Sequence, residues 1–518
     1  MLPVNRDAPV NEKLAASLDI LKTLQEDGRR IFQSSELSRT HRDRLNRAGF
    51  LVPVIKGWWM AANPAARPGD TTAWYASFWE FCARYSTSRF GEAWHLSPEI
   101  SLLLHAEATD VPRQVVIHTP EGTNHTIDLP FGTSLFDYRV GPFPASDALT
   151  ERDGLRLLAP ATALVRAQPG FFQQRPVEAQ VALARVRDPS DLLVHLLAED
   201  RTVVAGRLAG GLRRIGRPDM ADEIADTMAR AGHRIREHDP FETARPVPQI
   251  EAHTPALVAR MQGMWEAMRP AVIQVFPDPP RVQAPEAYLE RVEAMYPGDA
   301  YHSLSIEGYR VTPQLIERVR TGAWDADANL EDRESRDALA ARGYWQAFQR
   351  VKEATAEVLA DPASAAAVTD VQHRAWYRDL FQPAVAAGIL GQAQLAGYRS
   401  NPVYIRNSRH VPPRPESVRQ AMPALFDLLR EEDHAAVRAV LGHWLVGYVH
   451  PFPDGNGRIA RFLMNVMLAS GGYPWTVIRM EERDAYMEAL EAASVDQDIG
   501  PFAAFVAGAV SRGPGAFR

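Results

Sequence analysis

The chain is 518 residues long, enough for about two to four domains that each bury a core, which excludes a single small module. Apolar residues at 46% and charged residues at 23%, with 33 Gly and 39 Pro, are ordinary globular usage and exclude bulk disorder and fibrous classes. A formal charge of −7 excludes a chain that is basic overall, so any surface for nucleic acid or anionic lipid must be local. The single cysteine, Cys82, lies among Phe78, Trp79, Phe81 and Tyr85 and reads as a small core residue. The opening MLPVNRDAPVNEK has no apolar signal core and no stretch is long and apolar enough to span a membrane. A cytoplasmic location without a membrane partner is expected.

Residues 1–64 reverse the overall sign, with ten Lys or Arg against seven Asp or Glu by residue 65. Leu14, Leu18, Ile20, Leu21 and Leu24 predict an amphipathic helix, Ser34 or Ser35 could cap a second, and LSRTHRDRLNRAGF predicts a third that stops at Gly49. LVPVIKGWWMAA then reads as two strands about a turn at Lys56 and Gly57. Short helices followed by a two-stranded wing are the pattern of a winged helix. Arg39, Arg42, Arg44 and Arg47 fall on its third helix, the footprint expected of DNA recognition.

Residues 65–240 mix an aromatic helix near Trp74 to Phe81, strand-like VVIHT and HTIDLP around an EGTN turn, and helices such as PSDLLVHLLAE, predicting an ordered α+β domain of unassigned role. HDPFETARPVPQ, near 239–249, reads as a linker. From 250 to 518 helical patterning dominates, with one Pro-rich extended interruption at 400–415.

The chemistry concentrates in the last region. Val437, Val440, Leu441, Trp444, Leu445 and Tyr448 make the apolar stripe of one helix ending near His450; Ile459, Phe462, Leu463, Val466 and Met467 make the stripe of the next. The loop HPFPDGNG joins them. Gly455, Asn456 and Gly457 let successive backbone N–H groups converge at a helix N-terminus, an anion site. Arg458 and Arg461, three apart on that helix, reach toward phosphates held there. Asp454 is placed as a Mg²⁺ ligand, His450 to take a proton from a hydroxyl, and Phe452 to anchor the loop. A metal-hydrolase reading with His443, His450 and Asp454 as ligands competes, but leaves both arginines and the Gly-Asn-Gly run without a role.

HPFPDGNGRIAR, residues 450–461, matches in full HxFx(D/E)GNGRxxR, and the chain therefore resembles the Fic (Fido) family. The resemblance implies a mainly α Fic (Fido) fold C-terminal domain with a catalytic core at about 370–510, transferring AMP from ATP to a Ser, Thr or Tyr hydroxyl of a target protein. It implies His450 as base, Asp454 as the Mg²⁺ ligand, Gly455, Asn456 and Gly457 on the α- and β-phosphates, and Arg458 and Arg461 neutralising pyrophosphate. Val403, Tyr404, Ile405 and Arg406 resemble the β-hairpin flap with which the family pins a target segment. Ser303, Glu307 and Gly308 fit the family's inhibitory pattern (S/T)xxxE(G/N), on a helix near 298–312, with Glu307 pairing with Arg461. The front end resembles the winged helix of AbiEi-type antitoxins, bacterial-type regulators, with an α+β domain following. Self-modification, a reverse deadenylylating activity, DNA bound through residues 1–64, homo-oligomers, donors such as phosphocholine, and a regulator or toxin-antitoxin component using the core as nucleotide sensor remain open alternatives.

Overall fold

The structure, a computed structural model, describes residues 8–67, 69–241, 253–280, 284–323 and 335–512. They fall into two compact units. The first comprises 8–241, His253 and Tyr404–Val411; the second comprises Thr254–Val403 and the chain from Pro412 onward. Most of the expected linker, from 242, lies outside the described residues; Phe241 is buried beside Phe172. Among the described residues no helix is long and apolar enough to cross a membrane.

The first unit opens with α1 (Ala8–Leu24), β1 (Ile31–Gln33), α2 (Arg39–Arg47), β2 (Leu51–Ile55) and β3 (Trp58–Ala61). Ser34 to Leu37 form a turn where a second helix was expected, and Ser38 caps α2 by accepting from the His41 N–H. Gly49 (φ 78°) follows the end of α2, as its stop signal predicts. The three strands pair antiparallel in the order β1-β3-β2. Strand alternation gives this sheet two buried faces. Phe32 and Leu51 pack with Leu21, Leu37 and Leu45, while Ile31, Trp58 and Met60 join a core built on Trp74, Phe78, Phe81 and Trp94. Those last residues belong to, or follow, α3 (Thr72–Phe90), which extends well beyond the expected Trp74 to Phe81. The boundary expected at residue 64 therefore does not separate two cores, because the wing's second face is covered.

Next come β4 (His95–Leu96), α4 (Pro98–His105), β5 (Gln114–Thr119), β6 (His125–Asp128), β7 (Ser134–Arg139), β8 (Leu149–Arg152) and β9 (Leu155–Leu158). β5 and β6, the strands read around the EGTN turn, do not pair directly: β7 lies between them, parallel to β5 and antiparallel to β6. Helices α5 (Pro160–Arg166), α6 (Pro169–Gln174), α7 (Pro176–Ala184), α8 (Ser190–Ala198), α9 (Thr202–Arg214) and α10 (Pro218–Arg230) complete this part. Cys82 is fully buried and burial pushes its thiol far up, consistent with a core role.

The second unit is mainly α: α11 (Ala256–Val275), α12 (Pro285–Ile306), α13 (Pro313–Arg320), α14 (Arg336–Ala360), α15 (Ala365–Ala386), α16 (Pro415–Glu431), α17 (Ala435–Val449), α18 (Asn456–Ser470), α19 (Arg483–Glu491) and α20 (Gly500–Arg512). α18 is its central helix. Beyond the expected apolar stripe, Arg458, Arg461 and Asn465 are also buried, so the face that reads as polar in sequence is enclosed by protein. Two buried arginines on one helix require compensating partners, and these define the site.

Candidate functional site

His450 closes α17 in a left-handed conformation (φ 49°, ψ 60°), its N–H donating to the Val446 carbonyl at 2.9 Å. Gly455, also left-handed (φ 76°), caps α18; a Cβ there would stand 2.9 Å from the Phe381 ring, so glycine is required twice over. Between these two reversals Phe452 is fully buried and stacks on Tyr377, with centroids 4.2 Å apart and planes at 9°. Asn456 fixes the loop's shape. Its Oδ1 accepts from the Phe452 N–H and its Nδ2 donates to the Phe452 carbonyl, both at 2.9 Å. The Asn456 amide is thus engaged within the loop, which leaves its backbone N–H as the group that can face a phosphate.

The loop carries a bare base and an exposed acid. His450 Nδ1 lies 3.2 Å from the Gly447 carbonyl, which only an N–H can satisfy, leaving Nε2 without the proton. Burial lowers the imidazole pKa, opposed by the Gly447 hydrogen bond, so the ring is neutral near pH 7. The Asp454 carboxylate accepts from the Gly455 N–H at 2.6 Å and is 55% exposed.

The two arginines are treated differently. Arg458 lies between the rings of Tyr309 (5.3 Å) and Phe381 (5.1 Å), with Nη2 3.7 Å from Asp454; its buried Nε and Nη2 have no hydrogen-bond partner. Arg461 is fully engaged by the end of α12. Its Nε donates to Ser303 Oγ at 2.8 Å, and its Nη2 donates to the Ser303 carbonyl at 3.2 Å and to Glu307 Oε1 at 2.9 Å. The same Glu307 oxygen sits against the Gly457 backbone, where a Cβ would collide with it. The carboxylate thus occupies the anion position at the N-terminus of α18. Burial opposes its ionisation, but the charges of Arg461 and Arg458 and the Arg461 hydrogen bond together outweigh burial and hold its carboxyl below the usual range. The expected inhibitory helix ends earlier than 312: α12 stops at Ile306, Glu307 is its C-cap and Gly308 (φ 89°) turns the chain.

The left-handed His, the glycine-capped helix N-terminus and the two arginines lie within residues 368–468, which match the Fic/DOC family. The chain carries a Fic/DOC domain. It is 42% identical over 131 residues to a Protein adenylyltransferase Fic of Nematostella vectensis, covering 24% of this chain and 30% of that one. It is 38% identical over 114 residues to a Protein adenylyltransferase Fic of Drosophila willistoni, covering 21% and 22%. The chain thus matches less than a third of the length of either curated relative. Fic-1 (aa134–508) from C. elegans is similar in structure, at 18% identity and a TM-score of 0.37, covering 65% of this chain and 95% of that one.

Around the Fic loop stands a residue that motif reading missed. Arg399, 2% exposed, donates from Nε to the His450 carbonyl at 2.7 Å, from Nη2 to the carbonyls of Val449 (3.3 Å) and Pro413, and from its backbone N–H to the Pro451 carbonyl at 2.9 Å. It satisfies the open carbonyls at the end of α17. In sequence only its place just before the Pro-rich segment at 400–415 marks it.

The flap differs from expectation. Residues 402–405 form no regular element and Arg406 and Asn407 turn the chain, and no ladder closes a hairpin; Val403 belongs to the second unit, whereas Tyr404, Ile405 and Arg406 belong to the first. The backbone at 409–411 pairs instead within the first unit: Val111 N–H donates to Arg409 O, and Val411 N–H to Thr109 O, both at 2.9 Å. Tyr404 lies under Arg30 at 5.0 Å and Arg406 pairs with Asp70 at 3.3 Å. The metal-hydrolase reading also fails. His443 Nε2 is bonded to the Tyr486 hydroxyl at 2.8 Å, and among the described residues no three His, Cys, Asp or Glu are grouped to hold a metal.

On α2, two of the four arginines are turned inward. Arg42 donates to the Ser34 carbonyl and, at 2.8 Å, to the Leu37 carbonyl, and Arg44 donates to Lys13 O and Ser17 Oγ, both at 2.8 Å. Arg39 is exposed, 3.7 Å from Asp43, and Arg47 is exposed.

Proposed function

We propose that the Fic domain transfers AMP from Mg-ATP to a Ser, Thr or Tyr hydroxyl of a protein in the cytoplasm, itself included, and that Glu307 restrains this activity. The observation that carries the reading is the convergence of a neutral, Nε2-basic His450, the glycine-capped N-terminus of α18 and a buried Arg458 without hydrogen-bond partners on Nε and Nη2. Named relatives that are protein adenylyltransferases agree with it.

In this mechanism the target hydroxyl approaches His450, and Nε2 takes its proton as the oxygen bonds to the α-phosphorus. The α–β phosphoanhydride bond breaks and pyrophosphate leaves. The Gly455 N–H is held by Asp454, so the N–H groups of Asn456 and Gly457 bind phosphate oxygens, and the arginines neutralise the charge that builds on the leaving group. Asp454, an exposed carboxylate beside this nest, fits the one-carboxylate-plus-phosphate coordination usual for Mg²⁺, which would offset the phosphate charge. Glu307 opposes all this by holding Arg461 and by placing its own negative charge where a phosphate would bind.

Intact-mass measurement after incubation with Mg-ATP tests the proposal. Glu307→Gly should raise self-adenylylation at least about tenfold, the scale of one charge-assisted contact, and His450→Ala should abolish it. An unchanged rate in Glu307→Gly overturns the restraint, and a mass gain other than one AMP overturns the donor.

A second reading concerns the front end. The helix α2 beside a three-stranded wing, with Arg39 and Arg47 exposed, supports DNA binding by residues 1–64, and through it a regulatory or toxin-antitoxin role. A gel shift with the upstream DNA of its own gene tests this: absence of binding at low salt overturns it.

A further inference from the structure

Asp299, Ser303 and Glu307 are spaced i, i+4 and i+8 and so lie along one face of α12 and its cap. Two of them touch Arg461; Asp299 lies a turn deeper, 4% exposed, and accepts from the Tyr344 hydroxyl at 2.9 Å. Tyr344, on α14, is fully enclosed, with the Ser303 side chain acting on its hydroxyl. The donors can then be arranged in only one sense. Arg461 Nε has a proton and must give it, so Ser303 Oγ accepts. The Ser303 proton is left for the Tyr344 oxygen, and the Tyr344 proton goes to Asp299. The relay runs from cation to carboxylate, and each bond polarises the next.

We propose that Asp299 is a second acidic positioning residue of the restraint: its charge orients the Tyr344 hydroxyl, Tyr344 orients Ser303, and Ser303 holds the Arg461 guanidinium where Glu307 can grip it. The inference rests on the reading of Glu307 as a restraint. It extends that reading from the six-residue pattern to a buried carboxylate eight residues upstream. Without charge at 299 the Tyr344 hydroxyl is free to donate to Ser303, whose proton then points at Arg461, and the guanidinium loses its acceptor.

The groups facing Asp299 are Tyr344 from α14, Arg461 from α18, Tyr296 on α12 itself and the indole of Trp475. Burial raises the Asp299 carboxyl to about 6, against the Tyr344 hydrogen bond and the Arg461 charge. Ionised at neutral pH, it titrates as pH falls through about 6, so the restraint should weaken there.

The full-length protein is assayed for self-adenylylation by intact mass in wild type, Asp299→Asn, Tyr344→Phe and Glu307→Gly, and in Asp299→Asn combined with Glu307→Gly. Asp299→Asn and Tyr344→Phe should each raise the wild-type rate about threefold or more, and Asp299→Asn should change the Glu307→Gly rate less than twofold. The ratio of wild-type to Glu307→Gly rates should climb as pH falls from 7.5 to 5.5; Glu307 also raises the His450 pKa, so the deciding comparison is Asp299→Asn, in which that climb should vanish. Tyr344→Phe keeps the ring packed on Phe462 and guards against a folding defect at 299. A responsive Glu307→Gly with silent Asp299→Asn and Tyr344→Phe, or an equal gain in the Glu307→Gly background, overturns the relay alone. A silent Glu307→Gly overturns the restraint and the relay together.

Discussion

Each decisive residue works through a partner distant in sequence. Arg399 is the clearest case, because its guanidinium satisfies the Val449 and His450 carbonyls where α17 ends and the Pro413 carbonyl of a separate segment. Arg399→Lys offers one compact ammonium in place of a planar fork and cannot reach several carbonyls together. We expect it to lower stability by about 2–4 kcal/mol, the cost of leaving buried polar groups unpaired. Adenylylation should fall about tenfold or more, read by thermal melting alongside intact mass; unchanged values would show that the loop holds its shape without Arg399. His450, Asp454, Gly455, Arg458 and Arg461 were legible in the sequence because one loop and one helical turn bring them together. Arg399 and Asp299 were not, since they meet the motif only through folding across 51 and 162 residues.

At the scale of elements, hydrophobic period located the helices better than it located what they enclose. The stripes over 437–448 and 459–467 are α17 and α18, yet period alone cannot show that neighbours cover the remaining face, where Arg458 and Arg461 lie buried. Strand order was less legible still: β7 enters between β5 and β6 by long-range pairing. The flap's missing ladder has a similar origin, its second arm pairing with Thr109 and Val111. On α2 the same limit redistributes the basic residues. If this helix meets DNA, Arg39→Ala and Arg47→Ala should weaken binding and flatten its salt dependence, while Arg42→Ala should chiefly lower the melting temperature. Binding that survives loss of both exposed arginines would remove α2 from the interface.

For the molecule as a whole, composition suggested several domains, and the structure gives two units in which the front end and the α+β region share a core. Their union follows from β1 and β3, whose alternate residues are apolar on both faces. Residues 1–64 made alone would expose Ile31, Trp58 and Met60, each worth about 1.5–3 kcal/mol when buried. We expect that fragment to aggregate or melt without a cooperative transition, and a fragment of residues 1–241 to be the better behaved of the two in circular dichroism and size-exclusion chromatography. A monomeric, cooperatively folding 1–64 fragment would contradict the shared core.

Glu307 sits one residue past the last turn of α12, held in place by the Gly308 reversal. That last turn is packed, with Leu304 and Ile306 buried and the Ile306 carbonyl bonded to Arg483, so releasing Glu307 costs the local opening of one turn, far less than global unfolding. A restraint mounted there needs no domain to unfold and no lid to open; its grip lapses whenever the final turn breathes. The proposed transfer would then be dimmed rather than switched off, with a basal output set by how often that one turn lets go.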